Sequence, residues 1–162
     1  MKPKVYLETT IPSLLTARPS RDLIVAADQQ MTRRWWETRR EQFQLFVSEF
    51  VLDEAGQGDK EAAAQRLQVL AECEMLKATD EVRSLTLALL DAGLIPRKAA
   101  ADAAHIAVAA VHGMDFLLTW NCRHIANAMI TKRVRDVCVE RGCKSPVICT
   151  PHELMIPLSH ET

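Results

Sequence analysis

The chain has 162 residues, 48% hydrophobic and 25% charged, with a formal net charge of −1. These are the values of an ordinary soluble globular protein, long enough for one domain over residues 1–162 with a real core. No apolar run approaches the about 18 residues of a membrane span, which excludes a membrane partner of that kind, and the near-zero charge argues neither for nor against a local basic face for nucleic acid.

From the amino terminus, Val5-Tyr6-Leu7 reads as a short strand ending at Glu8. No secretory pattern precedes it, so a cytoplasmic location is expected. Ser20-Arg21-Asp22 predicts a helix start, with an amphipathic pattern running through Trp35 and Trp36 to about Gln42. Leu45-Phe46-Val47 is a second strand, followed by Ser48 as the N-cap of a short helix through Glu54, which Gly56-Gln57-Gly58 stops. Asp59 caps a helix from Lys60 to Cys73, Leu76-Lys77-Ala78 is a weak strand, and Asp80 opens a helix that ends at Gly93.

Next comes an Ala-rich helix, opened by Pro96 and closed by Gly113, in which Asp102 and His105 are the polar side chains between Ala99 and Val111. A helix apolar nearly all round is buried, and a carboxylate there must be paired, hydrogen-bonded or metal-bound. Phe116 to Trp120 is a strand, Arg123 to Arg141 a long helix, Pro146 to Cys149 a last strand, and Pro151 starts a final turn. The five cysteines form no CxxC pair, so they read as reduced thiols, mostly in the core, rather than zinc ligands or a disulfide framework.

Alternation of strands and helices predicts an α/β protein with a parallel sheet covered on both faces. Ligands in such folds sit beyond the carboxyl ends of the strands, which singles out Glu8 and Asn121. Either residue also suits a plain loop, and Asn121 suits a helix cap. With Glu54 and Asp102 they make a set of oxygen donors from four segments, the donors that Mg²⁺ and Mn²⁺ prefer. Without a metal, crowding of the carboxylates would have to raise at least one pKa.

The segments Val5-Tyr6-Leu7-Glu8-Thr9-Thr10-Ile11-Pro12-Ser13, Ser48-Glu49-Phe50-Val51-Leu52-Asp53-Glu54 with Gly58-Asp59, Asp102-Ala103-Ala104-His105-Ile106-Ala107 and Leu118-Thr119-Trp120-Asn121-Cys122-Arg123-His124-Ile125-Ala126-Asn127 carry a likeness in their order and spacing. Through them the chain resembles the PIN-domain family, specifically the VapC-like ribonuclease toxins, along nearly its full length. The resemblance implies a three-layer α/β/α fold with a central parallel sheet. It implies an acidic pocket for Mg²⁺ or Mn²⁺ with Glu8, Glu54, Asp102 and Asn121 at its four positions, and it selects Glu54 over the adjacent Asp53. It further implies RNA as substrate, a cognate antitoxin as partner and a homodimer.

The chain departs from the commonest pattern in having Glu8 where Asp is usual, one methylene longer, and Asn121 where Asp is frequent, which removes a charge. One or two ions both remain open. Thr9 and Thr119 are expected to steady the ligands by hydrogen bonds. Arg123, His124 and Asn127 are placed to meet phosphate or simply to be polar residues at a helix start, and Arg18 and Arg21, near the end of the first strand, are placed for phosphate. Trp35 and Trp36 among arginines suit RNA stacking, but core or interface packing is the preferred reading. His105 reads as a core histidine rather than a ligand, and Asp59 and Asp115 as a cap and a turn residue. The readings that compete with the nuclease are an inactive PIN module binding RNA or protein and a phosphoesterase of small molecules.

Overall fold

The computed structural model describes residues 1–155. Its strands are β1 (Lys4–Leu7), β2 (Gln44–Ser48), β3 (Glu74–Leu76), β4 (Phe116–Leu118) and β5 (Val147–Cys149). Its α-helices are α1 (Thr10–Thr16), α2 (Leu23–Thr38), α3 (Glu49–Ala55), α4 (Lys60–Leu70), α5 (Asp80–Asp91), α6 (Ala100–Val111) and α7 (Ala128–Glu140). The strands form one parallel sheet in the order β3-β2-β1-β4-β5. Tyr6 of the central strand stands beside Phe46 on one side and Leu117 on the other. α1 packs on α2 and α4, while α5 packs on α6 and α7, and α3 touches both α4 and α6. The result is an α/β fold whose central sheet is flanked by helices.

The strands are short and apolar because a parallel strand is covered on both faces. Val5, Tyr6, Leu7, Leu117 and Leu118 are fully buried, and they meet Val51, Leu85, Leu89, Ile106, Ala107, Val108 and Ala109 from the helices. The alanines of α6 let that helix lie close in the interior, and Ala103 through Ala110 are all buried. Among the described residues no helix is long and apolar enough to cross a membrane.

Boundaries expected from sequence shift in several places. α1 was not anticipated; Pro12 sits in its first turn, where a missing N–H costs no hydrogen bond. α2 begins at the expected cap, Asp22, whose side chain accepts from Ile24 and Val25, but it ends at Thr38 and a 3-10 turn covers Arg40–Gln42. α4 stops at Leu70 rather than Cys73, and β3 lies two residues before its expected place. α5 opens at Asp80 as expected, with Thr79 as its cap, and ends at Asp91. Pro96 leads into a 3-10 turn over Arg97–Ala99 before α6 begins. The expected helix from Arg123 begins only at Ala128, with Asn127 as its cap.

Trp35 is fully buried and stacks on Phe43 with ring centroids 5.7 Å apart, whereas Trp36 is half-buried under the Arg40 guanidinium at 5.0 Å. Packing therefore accounts for both tryptophans. Asp59 accepts from the Ala62 N–H as a cap, and Asp115 accepts from the Lys4 N–H and Lys144. The cysteines are all free thiols, yet only Cys138 and Cys149 lie in the core; Cys73 and Cys143 are half-buried and Cys122 is exposed. Burial holds Cys138 up at about 11 and Cys149 at about 12, so both stay protonated thiols.

Gly113 closes α6 at φ +69°, and a Cβ there would meet nothing within 4 Å. The cost of a side chain is thus conformational alone. Gly113→Ala is expected to lower stability by about 1–2 kcal/mol in chemical denaturation without changing the fold; an unchanged midpoint would show that the turn relaxes freely.

Candidate functional site

The strand order changes direction between β1 and β4, because β2 and β3 extend from one side of β1 and β4 and β5 from the other. Crevices in parallel sheets open beyond the carboxyl ends of the strands at such a point. Glu8 follows β1 there, and Thr119 to Asn121 follow β4.

The Glu8 backbone N–H extends the ladder by donating to the Leu118 carbonyl at 3.1 Å. Its side chain is almost wholly buried, at 3% exposure, and must find donors. Two threonine hydroxyls supply them: Thr10 Oγ1 and Thr119 Oγ1 each donate to Glu8 Oε1 at 2.6 Å. Each hydroxyl also accepts a backbone N–H, Thr10 from Trp120 at 2.8 Å and Thr119 from Asn121 at 2.9 Å. Each hydroxyl thus accepts from the backbone and gives its one hydrogen to the carboxylate.

Glu54 is carried by α3, directly behind β2, and its side chain is 36% exposed. Its Oε1 accepts from Thr9 Oγ1 at 3.0 Å and from His105 Nε2. Burial pushes this carboxyl up, but the hydrogen bonds it accepts from His105 and the Thr9 hydroxyl bring it below the usual carboxylate range. His105 is fully buried, edge-on to Phe50, and its Nδ1 meets the Tyr6 hydroxyl at 2.7 Å. It is the expected satisfied core histidine, and it also holds a pocket carboxylate.

Asp102 stands in the first turn of α6, where the helix dipole favours a negative charge. It is less buried than the sequence suggested, with 19% of its side chain exposed, because it lies at the end of the apolar helix rather than along it. His124 Nδ1 lies 2.9 Å from Asp102 Oδ2, and the His124 N–H donates to Asn121 Oδ1 at 3.0 Å. A continuous series of hydrogen bonds therefore joins Glu8, Thr119, Asn121, His124 and Asp102. Glu54 enters it through Thr9, next to Glu8 in the chain, and through His105, one turn after Asp102.

In each acid the described hydrogen bonds engage one oxygen and leave the other without a protein partner: Oε2 of Glu8, Oε2 of Glu54 and Oδ1 of Asp102. That is the pattern of carboxylates oriented by neighbours toward a further ligand. As donors these oxygens fit a hard divalent cation, which commonly takes one or two carboxylates and keeps waters. Among the described residues no three His, Cys, Asp or Glu side chains are grouped closely enough to hold a metal by themselves. Water and substrate phosphate would have to complete the coordination.

The expected rise in a carboxyl pKa is not what Glu54 shows, since a donor beside it outweighs burial. Asn121 caps the turn behind β4, with its carbonyl oxygen engaged. Asp53 is exposed on α3. His124 gives its Nδ1 to Asp102, Arg123 is exposed, and Asn127 is the cap of α7. Thr9 and Thr119 hold the acids as expected, whereas Thr10, Tyr6 and the Asp102–His124 pair were missed. The signal for Thr10 was present in the run Glu8-Thr9-Thr10; nothing local announces the other contacts. The open hollow beside α7, lined by Thr131, Lys132, Arg135, Ile148 and Glu153, contains none of these residues.

By sequence, no family model and no curated protein matches the chain. By structure it is similar to VapBC2 from Rickettsia felis, crystallised with a DNA fragment from its promoter, at a TM-score of 0.57 and 16% identity over 90% of this chain and 97% of that one. It is also similar to Mycobacterium tuberculosis VapC20, described as a toxin cleaving the sarcin-ricin loop, at a TM-score of 0.56 and 14% identity over 75% of this chain and 92% of that one. The chain has the VapC-like PIN fold. At such identities the likeness shows the fold, and activity must be argued from the site.

Thr119 is fully buried, and its hydroxyl serves both Glu8 and the Asn121 N–H. Thr119→Val keeps the shape and strips both bonds, so a loss of about 1–3 kcal/mol is expected in urea denaturation. Unchanged stability would mean that water or a shifted Glu8 replaces the hydroxyl without cost.

Proposed function

We propose that the chain is a metal-dependent endoribonuclease that hydrolyses RNA phosphodiester bonds and acts as the toxin of a toxin–antitoxin pair. The observation that carries the reading is that three acids are tied into one hydrogen-bond network with the strand-end residues, each fixed through one oxygen and open at the other. The VapC-like fold supports it and favours a cognate antitoxin, a homodimer and a cytoplasmic setting.

Glu8, Glu54 and Asp102 would hold Mg²⁺ or Mn²⁺ through their unengaged oxygens, directly or through water. When bound, the cation supplies a more acidic water and neutralises charge building on the phosphoryl oxygens. Thr10 and Thr119 keep Glu8 oriented, and Thr9 and His105 keep Glu54 oriented. Asn121 acts by capping the turn that brings His124 onto Asp102. Exposed Arg123 stands on the same turn, free to meet a phosphate oxygen.

A second reading is a catalytically silent PIN module that binds RNA or protein. It is favoured by the capping role of Asn121 and by the want of a three-member ligand group among the described residues.

Cleavage of a mixed cellular RNA pool by metal-stripped protein, with Mn²⁺ or Mg²⁺ restored, separates the two readings. Wild type is expected to cut RNA with either ion, and better with Mn²⁺, since Mg²⁺ demands near-ideal octahedral geometry. Asp102→Asn is expected to lose on the order of 100-fold or more in rate, the scale of losing one electrostatic contact to a transition state. Its fold is expected to survive, because asparagine keeps an oxygen for His124. Equal cleavage by wild type and Asp102→Asn, or none by wild type, contradicts the nuclease reading.

Glu8→Asp and Glu8→Gln distinguish reach from charge. The aspartate is expected to keep part of the activity and the glutamine little of it at limiting metal, because a hard cation is held chiefly by charge. A fully active Glu8→Gln protein would remove Glu8 from the ligand set.

A further inference from the structure

A file of polar groups crosses the interior from β2 to the pocket. Ser48 Oγ lies 2.7 Å from the Tyr6 hydroxyl, Tyr6 lies 2.7 Å from His105 Nδ1, and His105 Nε2 bonds Glu54 Oε1. Ser48, Tyr6 and His105 are all fully buried.

Counting donors gives the file one direction. An ionised carboxylate only accepts, so the hydrogen on Nε2 belongs to His105. With the imidazole carrying that one hydrogen, Nδ1 is left as a lone pair and takes the Tyr6 O–H. The Tyr6 oxygen in turn takes the Ser48 hydrogen. Burial pushes the Tyr6 hydroxyl far up, so it keeps the proton that this arrangement requires.

Filling the interior does not require polar groups, since even a buried ion pair is often replaced by apolar side chains of similar volume with no loss of stability. Ser48 stands at the N-cap position of α3, yet its side chain makes no cap bond and turns to Tyr6 instead. Three buried residues thus give their polar groups to the chain of bonds that ends at one half-buried carboxylate.

We propose that His105, backed by Tyr6 and Ser48, is a positioning residue that locks Glu54 in one rotamer, with Oε1 engaged and Oε2 left for the cation. The proposal rests on the nuclease reading of the pocket. Its consequence is that ligand geometry at Glu54 is set from the core, through the imidazole tautomer, and not from the pocket surface.

The test measures Mn²⁺ affinity without RNA, by electron paramagnetic resonance titration at fixed pH, and the His105 tautomer by nitrogen NMR of the metal-free protein. Wild type is expected to bind Mn²⁺ and to show hydrogen on Nε2. His105→Leu, which fills space but cannot donate, is expected to bind Mn²⁺ about 10–100-fold more weakly, the usual effect of losing a partner behind a metal ligand. His105→Gln, which retains a donor near Nε2, is expected to recover most of that affinity, as a merely space-filling role would not require. Tyr6→Phe, with the fold preserved, is expected to show a smaller loss in the same direction, and it carries the test if His105→Leu does not fold. Undiminished Mn²⁺ binding by both variants, or hydrogen on Nδ1 in wild type, overturns this proposal alone. Failure of wild type to bind Mn²⁺ overturns the nuclease reading and this proposal with it.

Discussion

Carboxylates taken out of water need donors in its place, and this constraint organises the pocket. Glu8, Glu54 and Asp102 are each given them: two hydroxyls for Glu8, a hydroxyl and an imidazole for Glu54, an imidazole for Asp102. The donors come from elements other than those of the acids. Thr119 follows β4 and serves Glu8 after β1, His105 on α6 serves Glu54 on α3, and His124 serves Asp102 from the turn behind β4. The pocket therefore fastens the carboxyl edge of the sheet together, and correct packing of the helices aims the acids.

Glu8 and Asn121, which stand where the resemblance more often has Asp, each have a local account in the structure. The extra methylene of Glu8 is taken up inside a nearly closed niche, where both threonine hydroxyls converge on one oxygen. Asn121 carries no charge, and its oxygen and backbone N–H build the turn that presents His124.

Much of this could be read from the chain. The apolar runs of β1, β2 and β4, the alanine run of α6 and the strand-end places of Glu8 and Asn121 follow from periodicities of a covered parallel sheet. Thr9 and Thr119 were legible because they adjoin the acids' own segments. The helix α1 was hidden by Pro12 and its short length, and the start of α7 by the polar run that forms the turn after Asn121. The bonds of Tyr6 to His105 and of His124 to Asp102 join residues 99 and 22 positions apart, and no local rule encodes such pairs. The alanine-rich sequence around Asp102 overstates its burial, because hydrophobic surroundings in sequence do not tell the end of a helix from its middle.

The central claim is that these three acids are held open for one divalent cation. Anomalous X-ray scattering from Mn²⁺-loaded crystals tests it most directly. A peak is expected in this pocket, with unengaged oxygens of Glu8, Glu54 or Asp102, or waters bound to them, at manganese–oxygen distances of roughly 2.0–2.6 Å. An empty pocket at saturating Mn²⁺, or a peak seated on other side chains, would contradict it.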